Sequence, residues 1–480
     1  MAVAQLLSFQ PWRKPEALSL QARMYKSLAK DLHGSRVTDE IMLAITLVGW
    51  SSCWFEATSL GNEHHLGARR LLLQWLTTRR PLVQASAGTV DYQFLVRGLI
   101  FWEMVSSFMM DESSGIVELI EHPDSKKKSP GLRELVVDPP GESSLIAVDA
   151  SSMIIPHPWT GVSTGLFYLF AKVGRLLRTE VKRIRSHGWN TLAYANGECR
   201  CDEDEGLARS HALSQASDLE IQLLNYELPR ADAIHPTGDV STTVGDLIDL
   251  AKSHHLAAML QLYRVFPELL ERRLPLIQSQ NAVDGGDNRD LWGTRPARDD
   301  LSQTSSREGF LFSLAGRILR MLLKLSPASS SLHGWGIVLL IGANELHLDR
   351  EYLQQGRDQS PAECFEQPSP ERHVNDTLGS YSSDDSSPSR ENRMPETPLG
   401  AEHNSEGLDD EMASLTRTPV LDLRSLIWNT LSHQRHTIGL SGVQRGQATV
   451  RELWRRMDAG DPHAFWLEIM YDNHWETMLA

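Results

Sequence analysis

The sequence predicts an all-α protein, and three observations support that fold class. Apolar residues recur at steps of three and four through most of the chain, which places them on one side of a helix. Capping residues and prolines stand at the ends of these periodic stretches. Alternating patterns typical of strands are scarce, since residues 145–148 and 337–341 are the only candidates and their length does not separate a strand from a buried helix. We therefore expect a large, irregular helical bundle or solenoid-like domain.

The clearest predicted helix spans residues 243–266. Thr243 with Asp246 three residues later forms a capping pair, and Pro267 stops the helix. Its apolar positions form one stripe: Val244, Leu247, Ile248, Ala251, His255, Ala258, Met259, Leu262 and Phe266. The pattern predicts a helix with a single apolar side.

Two further helices have recognisable ends. Residues 310–325 repeat the apolar spacing and end before Pro327. Near the end of the chain, Asp461 followed by Pro462 predicts an N-cap with proline at the first helical position. The short helix that it would open is rich in large apolar residues: Phe465, Trp466, Leu467, Ile469 and Met470.

Composition divides the chain into three parts. Residues 1–348 predict a helical domain with loops at about 125–145 and 281–307. Residues 349–418 hold sixteen acidic residues against six arginines, with six prolines and ten serines. Such a segment buries too little apolar area to offset its ordering entropy, so we expect a disordered acidic insert. Residues 419–480 predict helices that complete the domain.

The overall composition excludes several classes of protein. The chain has 480 residues and a net charge of −15, which argues against nucleic-acid binding over its whole surface. Its four cysteines (Cys53, Cys199, Cys201 and Cys364) are too few for a disulfide-rich scaffold. No signal peptide is visible, and the longest uncharged apolar run, residues 41–55, is shorter than the ~20 residues of a membrane span. We expect a soluble protein of a reducing compartment.

One segment matches a catalytic pattern. Residues 161–165 read Gly-Val-Ser-Thr-Gly, as in the nucleophile elbow of serine hydrolases. That elbow needs a strand before Ser163, and Pro156 and Pro158 interrupt any such strand. A turn that enters a helix is the favoured interpretation, and a hydrolase using Ser163 is kept as a remote alternative.

The other candidate sites are weaker still. Cys199 and Cys201, with His187 and His211, could be assembled into a metal site, but the spacing is unlike that of structural zinc sites. The paired histidines, 64 with 65 and 254 with 255, are predicted to lie at the core edge or on the surface. We assign no catalytic, cofactor-binding or metal-ligating residue, and we expect a protein that is not an enzyme and needs no cofactor.

Charged segments offer possible contacts. Arg175, Arg178, Lys182 and Arg185 form one cationic stripe along a predicted helix, which favours a solvated face over a phosphate-binding one. Residues 126–128, three lysines, are too short for a nuclear import signal. Ser369 and Ser387 precede prolines and could accept phosphate.

Several blocks, in order, resemble one known family. The residues are His65 to Leu72, a helix over 91–108 containing Phe101 and Trp102, the segment 157–161 (His-Pro-Trp-Thr-Gly), and the helix 257–270. They continue with 334–345 and with a closing stretch from 452 through Trp466 to 480. Together they resemble the regulatory, or middle homology, domain of fungal zinc-cluster transcription factors.

The resemblance implies a large all-α regulatory domain that gates transcription in the nucleus. It implies contacts with the transcription machinery or other regulators, no membrane association, and openness to a small-molecule effector or to homodimerisation. The family's DNA-binding zinc cluster needs six closely spaced thiolates, which four scattered cysteines cannot supply. Direct DNA binding by these residues is therefore doubtful, and the target genes stay open between metabolic and secondary-metabolite sets. A helical scaffold or adaptor without a role in transcription is the alternative.

Overall fold

The structure is a computed structural model that describes residues 14–33, 37–55, 61–79, 92–110, 116–121, 153–187, 203–283, 307–326, 329, 335–347, 420–438, 441–461 and 463–477. All the regular secondary-structure elements formed by these residues are helices, and no strand occurs among them. The prediction of an all-α fold is confirmed.

The helices, numbered in chain order, are α1 (Lys14–Leu32), α2 (Asp39–Phe55), α3 (Asn62–Arg79), α4 (Tyr92–Ser107), α5 (Ile116–Glu121), α6 (Thr164–His187), α7 (Glu203–Leu224), α8 (Val244–Val265), α9 (Pro267–Val283), α10 (Arg307–Leu323), α11 (Gly336–Ala343), α12 (Val420–Ile438), α13 (Ser441–Asp458) and α14 (Trp466–Asp472). They belong to one unit formed by Met1–His347 and Val420–Ala480.

Helix α8 starts and ends as its sequence predicts. The Thr243 hydroxyl accepts a hydrogen bond from the Asp246 N–H at 3.1 Å, and the Thr243 N–H donates to the Asp246 carboxylate at 2.9 Å. This reciprocal capping box satisfies two N–H groups that have no partner inside the helix. The helix ends at Val265, before Pro267, which begins α9.

The prediction of one apolar side on α8 is wrong for its second half. Every residue from Ser253 to Tyr263 is buried. Helix α8 packs against α6, α7, α9, α10 and α11, so neighbours cover it on all sides. Polar residues at these positions are therefore core residues that need partners within the protein.

The two ends of the described chain meet across the core. Helices α2, α3 and α4 pack together, and α4 packs along α6. Helix α13 contacts α11, α12 and α14 and also reaches α2. The apolar side chains of these helices form one continuous core, in which Trp102, Trp466 and Tyr263 are among the largest fully buried residues.

Residues 337–341, a candidate strand in the sequence, lie in helix α11. All five are buried, and a helix satisfies the backbone groups of a buried segment without a neighbouring strand. Gly342 permits close packing here, since a Cβ at that position would lie 2.8 Å from the Leu319 side chain.

The predicted N-cap at Asp461 is also wrong. The Asp461 carboxylate accepts a hydrogen bond from the His463 N–H at 2.9 Å and so closes a turn. Helix α14 begins at Trp466, whose N–H donates to the Asn344 side-chain oxygen at 2.9 Å. A side chain distant in sequence thus takes the capping role, which local sequence patterns do not reveal.

Several predictions fall outside the described residues. They are the loop at about 125–145, nearly all of the loop at 281–307, the candidate strand 145–148 and the acidic segment 349–418. Within the described part, no helix combines the length and the apolar character needed to cross a membrane.

Candidate functional site

Within the segment 161–165, residues 161–163 form a turn and the last two residues begin α6, so the predicted turn that enters a helix is confirmed. The N–H of His157 donates to the Gly161 carbonyl at 2.8 Å, and the N–H of Gly161 donates back at 2.9 Å. Gly161 has a φ of +57°, a left-handed conformation that favours glycine. Helix α6 then begins at Thr164.

The surroundings of Ser163 differ from those of a nucleophile. Its hydroxyl is buried and has no hydrogen-bond partner among the residues that the structure describes. Both ring nitrogens of the nearby His157 are in use, because Nε2 donates to the Phe94 carbonyl at 3.1 Å and Nδ1 accepts from the Thr160 N–H at 3.2 Å. Burial lowers the pKa of His157 to about 4. His157 therefore joins this turn to α4 as a neutral group and does not act as a base on Ser163.

The predicted metal candidates are not brought together within the described residues. Cys199 and Cys201 lie outside them, as do residues 126–128, Ser369 and Ser387, and His211 is exposed on α7. No group of three His, Cys, Asp or Glu side chains that could hold a metal occurs in the described part of the chain.

The prediction that the paired histidines are surface or core-edge residues is wrong for three of the four. His65, His254 and His255 are buried. His255 hydrogen-bonds the Leu223 carbonyl through Nε2 at 2.7 Å, and His254 bonds the Leu250 carbonyl through Nδ1 at 2.8 Å. Burial lowers the pKa of His255, so this side chain is a neutral hydrogen-bond donor inside the core.

The prediction that the cationic stripe on α6 is a solvated face is wrong for part of its length. Arg178 is buried and donates to the Phe108 carbonyl at 2.8 Å. Arg175 pairs with Glu103 of α4, and Arg185 pairs with Asp472 of α14 at 2.7 Å. The stripe therefore joins α6 to other helices, and Arg185 is its exposed end.

A cluster of charged side chains lies where α3, α4 and α6 meet. We call it the charged junction and define it as His65, Arg69, Glu103 and Arg175. His65 and Arg69 are one turn apart on α3, on the same side of the helix. The Glu103 carboxylate is 2% exposed; it contacts Arg175 through Oε1 and His65 Nε2 through Oε2 at 3.1 Å.

The charges of this junction are unevenly matched. Burial and then repulsion from Arg69 lower the pKa of Arg175 to about 10. Arg69 is partly buried, its Nε is fully enclosed, and this nitrogen has no hydrogen-bond partner in the described part of the chain. A guanidinium held without a partner near a second one is unfavourable, which marks the junction as a candidate functional site.

A second polar cluster, the C-terminal closure, holds the last helices against α8 and α11. We define it as Gln261, Arg264, Asn344, Glu345, Arg424, Asp458 and Trp466. Arg264 contacts Glu345 at 3.0 Å, and the Trp466 indole donates to Gln261 at 3.2 Å.

Arg424 completes this closure from α12. It donates to the Leu346 carbonyl at 2.7 Å and to both oxygens of Asp458, at 2.8 and 2.9 Å. The guanidinium also lies over the Trp454 ring, 5.0 Å from its centroid. The closure therefore pairs both of its arginines with a carboxylate.

One carboxyl group beside the closure lacks a hydrogen-bond partner for one of its oxygens among the described residues. Glu468 on α14 is buried, and none of the described residues hydrogen-bonds its Oε1. Burial, followed by the nearby Asp472, raises the pKa of Glu468 to about 7, although Arg185 and Arg456 act in the opposite direction. This side chain titrates near neutral pH.

Sequence reasoning missed these clusters because their members are far apart in the chain. Glu103 carried a usable signal, since it is the one charged residue in the apolar run Leu99 to Phe108 of α4. A lone acid in such a run predicts a buried partner of opposite charge. No comparable signal identifies Arg69, because Arg70 beside it is chemically the same and exposed.

Comparison with known proteins identifies the family. The fungal specific transcription factor domain matches residues 8–282, which is more than half of the 480 residues and includes the whole charged junction. No curated protein and no solved structure matches the chain. The order of sequence blocks, the all-helical fold and this match agree, and the chain belongs to the family of fungal specific transcription factor domains.

Proposed function

We propose that the chain regulates transcription in the nucleus by binding the transcription machinery or other regulators. The family match over residues 8–282 carries this proposal. The sequence contains four cysteines, so its own residues cannot form a six-thiolate zinc cluster. Contact with proteins is therefore favoured over contact with bases, and a fungal metabolic or secondary-metabolite gene set is the proposed target.

Tethering tests this proposal directly. The chain is fused to a DNA-binding domain of known site and expressed in a fungal host that carries the matching reporter. We expect reporter transcription to rise or fall at least severalfold relative to the DNA-binding domain alone. A fusion that is expressed at the same level and leaves the reporter unchanged would contradict the proposal.

Deleting the gene separates this function from that of an adaptor. A coordinated change in the transcripts of one gene set, together with nuclear location of the tagged chain, supports regulation of transcription. Unchanged transcripts and a tagged chain confined to the cytoplasm contradict it and favour a scaffold or adaptor outside transcription.

A further inference from the structure

The charged junction of α3, α4 and α6 contains a cation that the described protein leaves unmatched. Glu103 is occupied by Arg175 and by His65. Arg69, one turn from His65, has no ion pair or hydrogen bond within the described residues. The Arg69 guanidinium therefore lies near the ion-paired side chains of Glu103, Arg175 and His65 but does not pair with any of them.

Retaining such a group has a cost. An enclosed N–H without an acceptor loses its hydrogen bonds to water and gains none in return. Arg69 and Arg175 also repel each other, because the Coulomb energy between like charges rises as water is excluded. Arg70 adds a further repulsion to Arg69 from the exposed side.

An oxyanion beside Arg69 would offset its unmatched charge and its repulsion from Arg175, while the enclosed Nε stays out of reach from solvent. The guanidinium presents N–H groups in a planar fork that matches a carboxylate or a phosphate. Negative charge between Arg69 and Arg175 turns their mutual repulsion into attraction to a common partner. Arg69 is only partly buried, so part of its side chain can be reached from solvent, whereas its Nε cannot.

We propose that the charged junction binds an oxyanion, the carboxylate or phosphate group of a small ligand, with Arg69 as the principal contact and Arg175 as the second positive charge. Glu103 and His65 act as positioning residues that hold Arg175 in place. This site goes beyond the proposed function, since anion binding can be measured whether or not the chain regulates transcription.

Binding is tested on the full chain at pH 7 by thermal unfolding and by titration calorimetry. Inorganic phosphate and succinate are added separately, and sodium chloride at matched ionic strength is the reference. We expect one of the two anions to raise Tm saturably, by roughly 2 °C at ten times its dissociation constant. The arm that responds tells whether the site prefers phosphate or carboxylate.

Three variants make the test specific. Arg69→Gln should abolish the saturable shift, and it should fold because it removes a cation that has no ion-pair partner among the described residues. Arg69→Lys, which keeps the charge but loses the fork, should bind at least tenfold more weakly. Arg70→Gln, the exposed neighbour, should bind as the unmodified chain does.

Two results would overturn the proposal. The first is the absence of a saturable shift with either anion. The second is a shift of equal size in Arg69→Gln, since phosphate also stabilises proteins by exclusion from their surface, without a site.

Discussion

The charged junction and the C-terminal closure both place arginines beside buried side chains, but they differ in how those arginines are matched. In the closure, Arg264 and Arg424 each have a carboxylate and a backbone carbonyl as partners. In the junction, Arg175 has Glu103 while Arg69 has no partner among the described residues. Buried charges that are fully hydrogen-bonded favour one arrangement of the helices. A cation without a partner can instead gain an ion pair when an anionic ligand binds.

The largest effect is expected from breaking the closure at Trp466. Trp466→Ala removes a fully buried ring together with its hydrogen bond to Gln261. We expect a loss of about 3–5 kcal/mol in the free energy of unfolding. Chemical denaturation measures this loss, and Trp475→Ala, at a partly buried tryptophan nearby, is the control and should lose less. Equal losses in the two variants would contradict the role given to Trp466.

A test of charge matching follows from Arg424. Arg424→Met keeps much of the side-chain volume but leaves the Leu346 carbonyl and Asp458 without their donor. We expect a loss of roughly 2–4 kcal/mol, below the top of the range for breaking buried ion pairs because Asp458 is 32% exposed. A midpoint of denaturation equal to that of the unmodified chain would show that this pair does not hold α12 in place.

Glu468 gives the closure a dependence on pH. The folded protein binds the proton of this carboxyl more tightly than the unfolded chain, because its pKa is raised to about 7. Its contribution to stability therefore falls as pH rises from the unfolded pKa of ~4.3 to about 7, and stays low above that.

The measurement is the difference between Glu468→Gln and the unmodified chain at pH 5 and pH 8. We expect the variant to gain at most about 1 kcal/mol at pH 5 and roughly 2 kcal/mol more than that at pH 8. This difference cancels the opposing effect of His157, whose pKa of about 4 is lower when folded. Glu271→Gln, at an exposed acid, controls for the lost charge. The same difference at both pH values would be evidence against titration of Glu468.

The contrast between these regions also explains which features could be predicted from the sequence. Helix α8 is determined locally by its capping box and apolar period, so its ends follow from residues 243–267 alone. The start of α14 depends on Asn344, more than 100 residues away, so the local signal at Asp461 and Pro462 was misleading.

Burial of charge is similarly invisible to local patterns. The spacing of Arg175 and Arg178 correctly predicts that both lie on one face of a helix. The sequence pattern is the same, however, whether an arginine on that face contacts water or pairs with Glu103. The charged junction could not be predicted, because it depends on how α3, α4 and α6 pack together. The turn at 161–165 could be predicted, because Gly161 lies in it and Pro156 and Pro158 stand only a few residues before it.

The smallest effect on stability is expected at Arg69, and it gives the sharpest contrast with Arg424. Arg69→Met removes a cation that has no partner within the described part of the chain and relieves repulsion on Arg175, so no buried group described there loses a hydrogen bond. We expect the free energy of unfolding to stay the same or to rise by up to about 1 kcal/mol in the absence of anions. Chemical denaturation in a chloride buffer, with Arg70→Met as the exposed control, measures the change. A loss comparable to that of Arg424→Met would mean that Arg69 is a matched structural charge, because only a group with native partners can cost that much to remove.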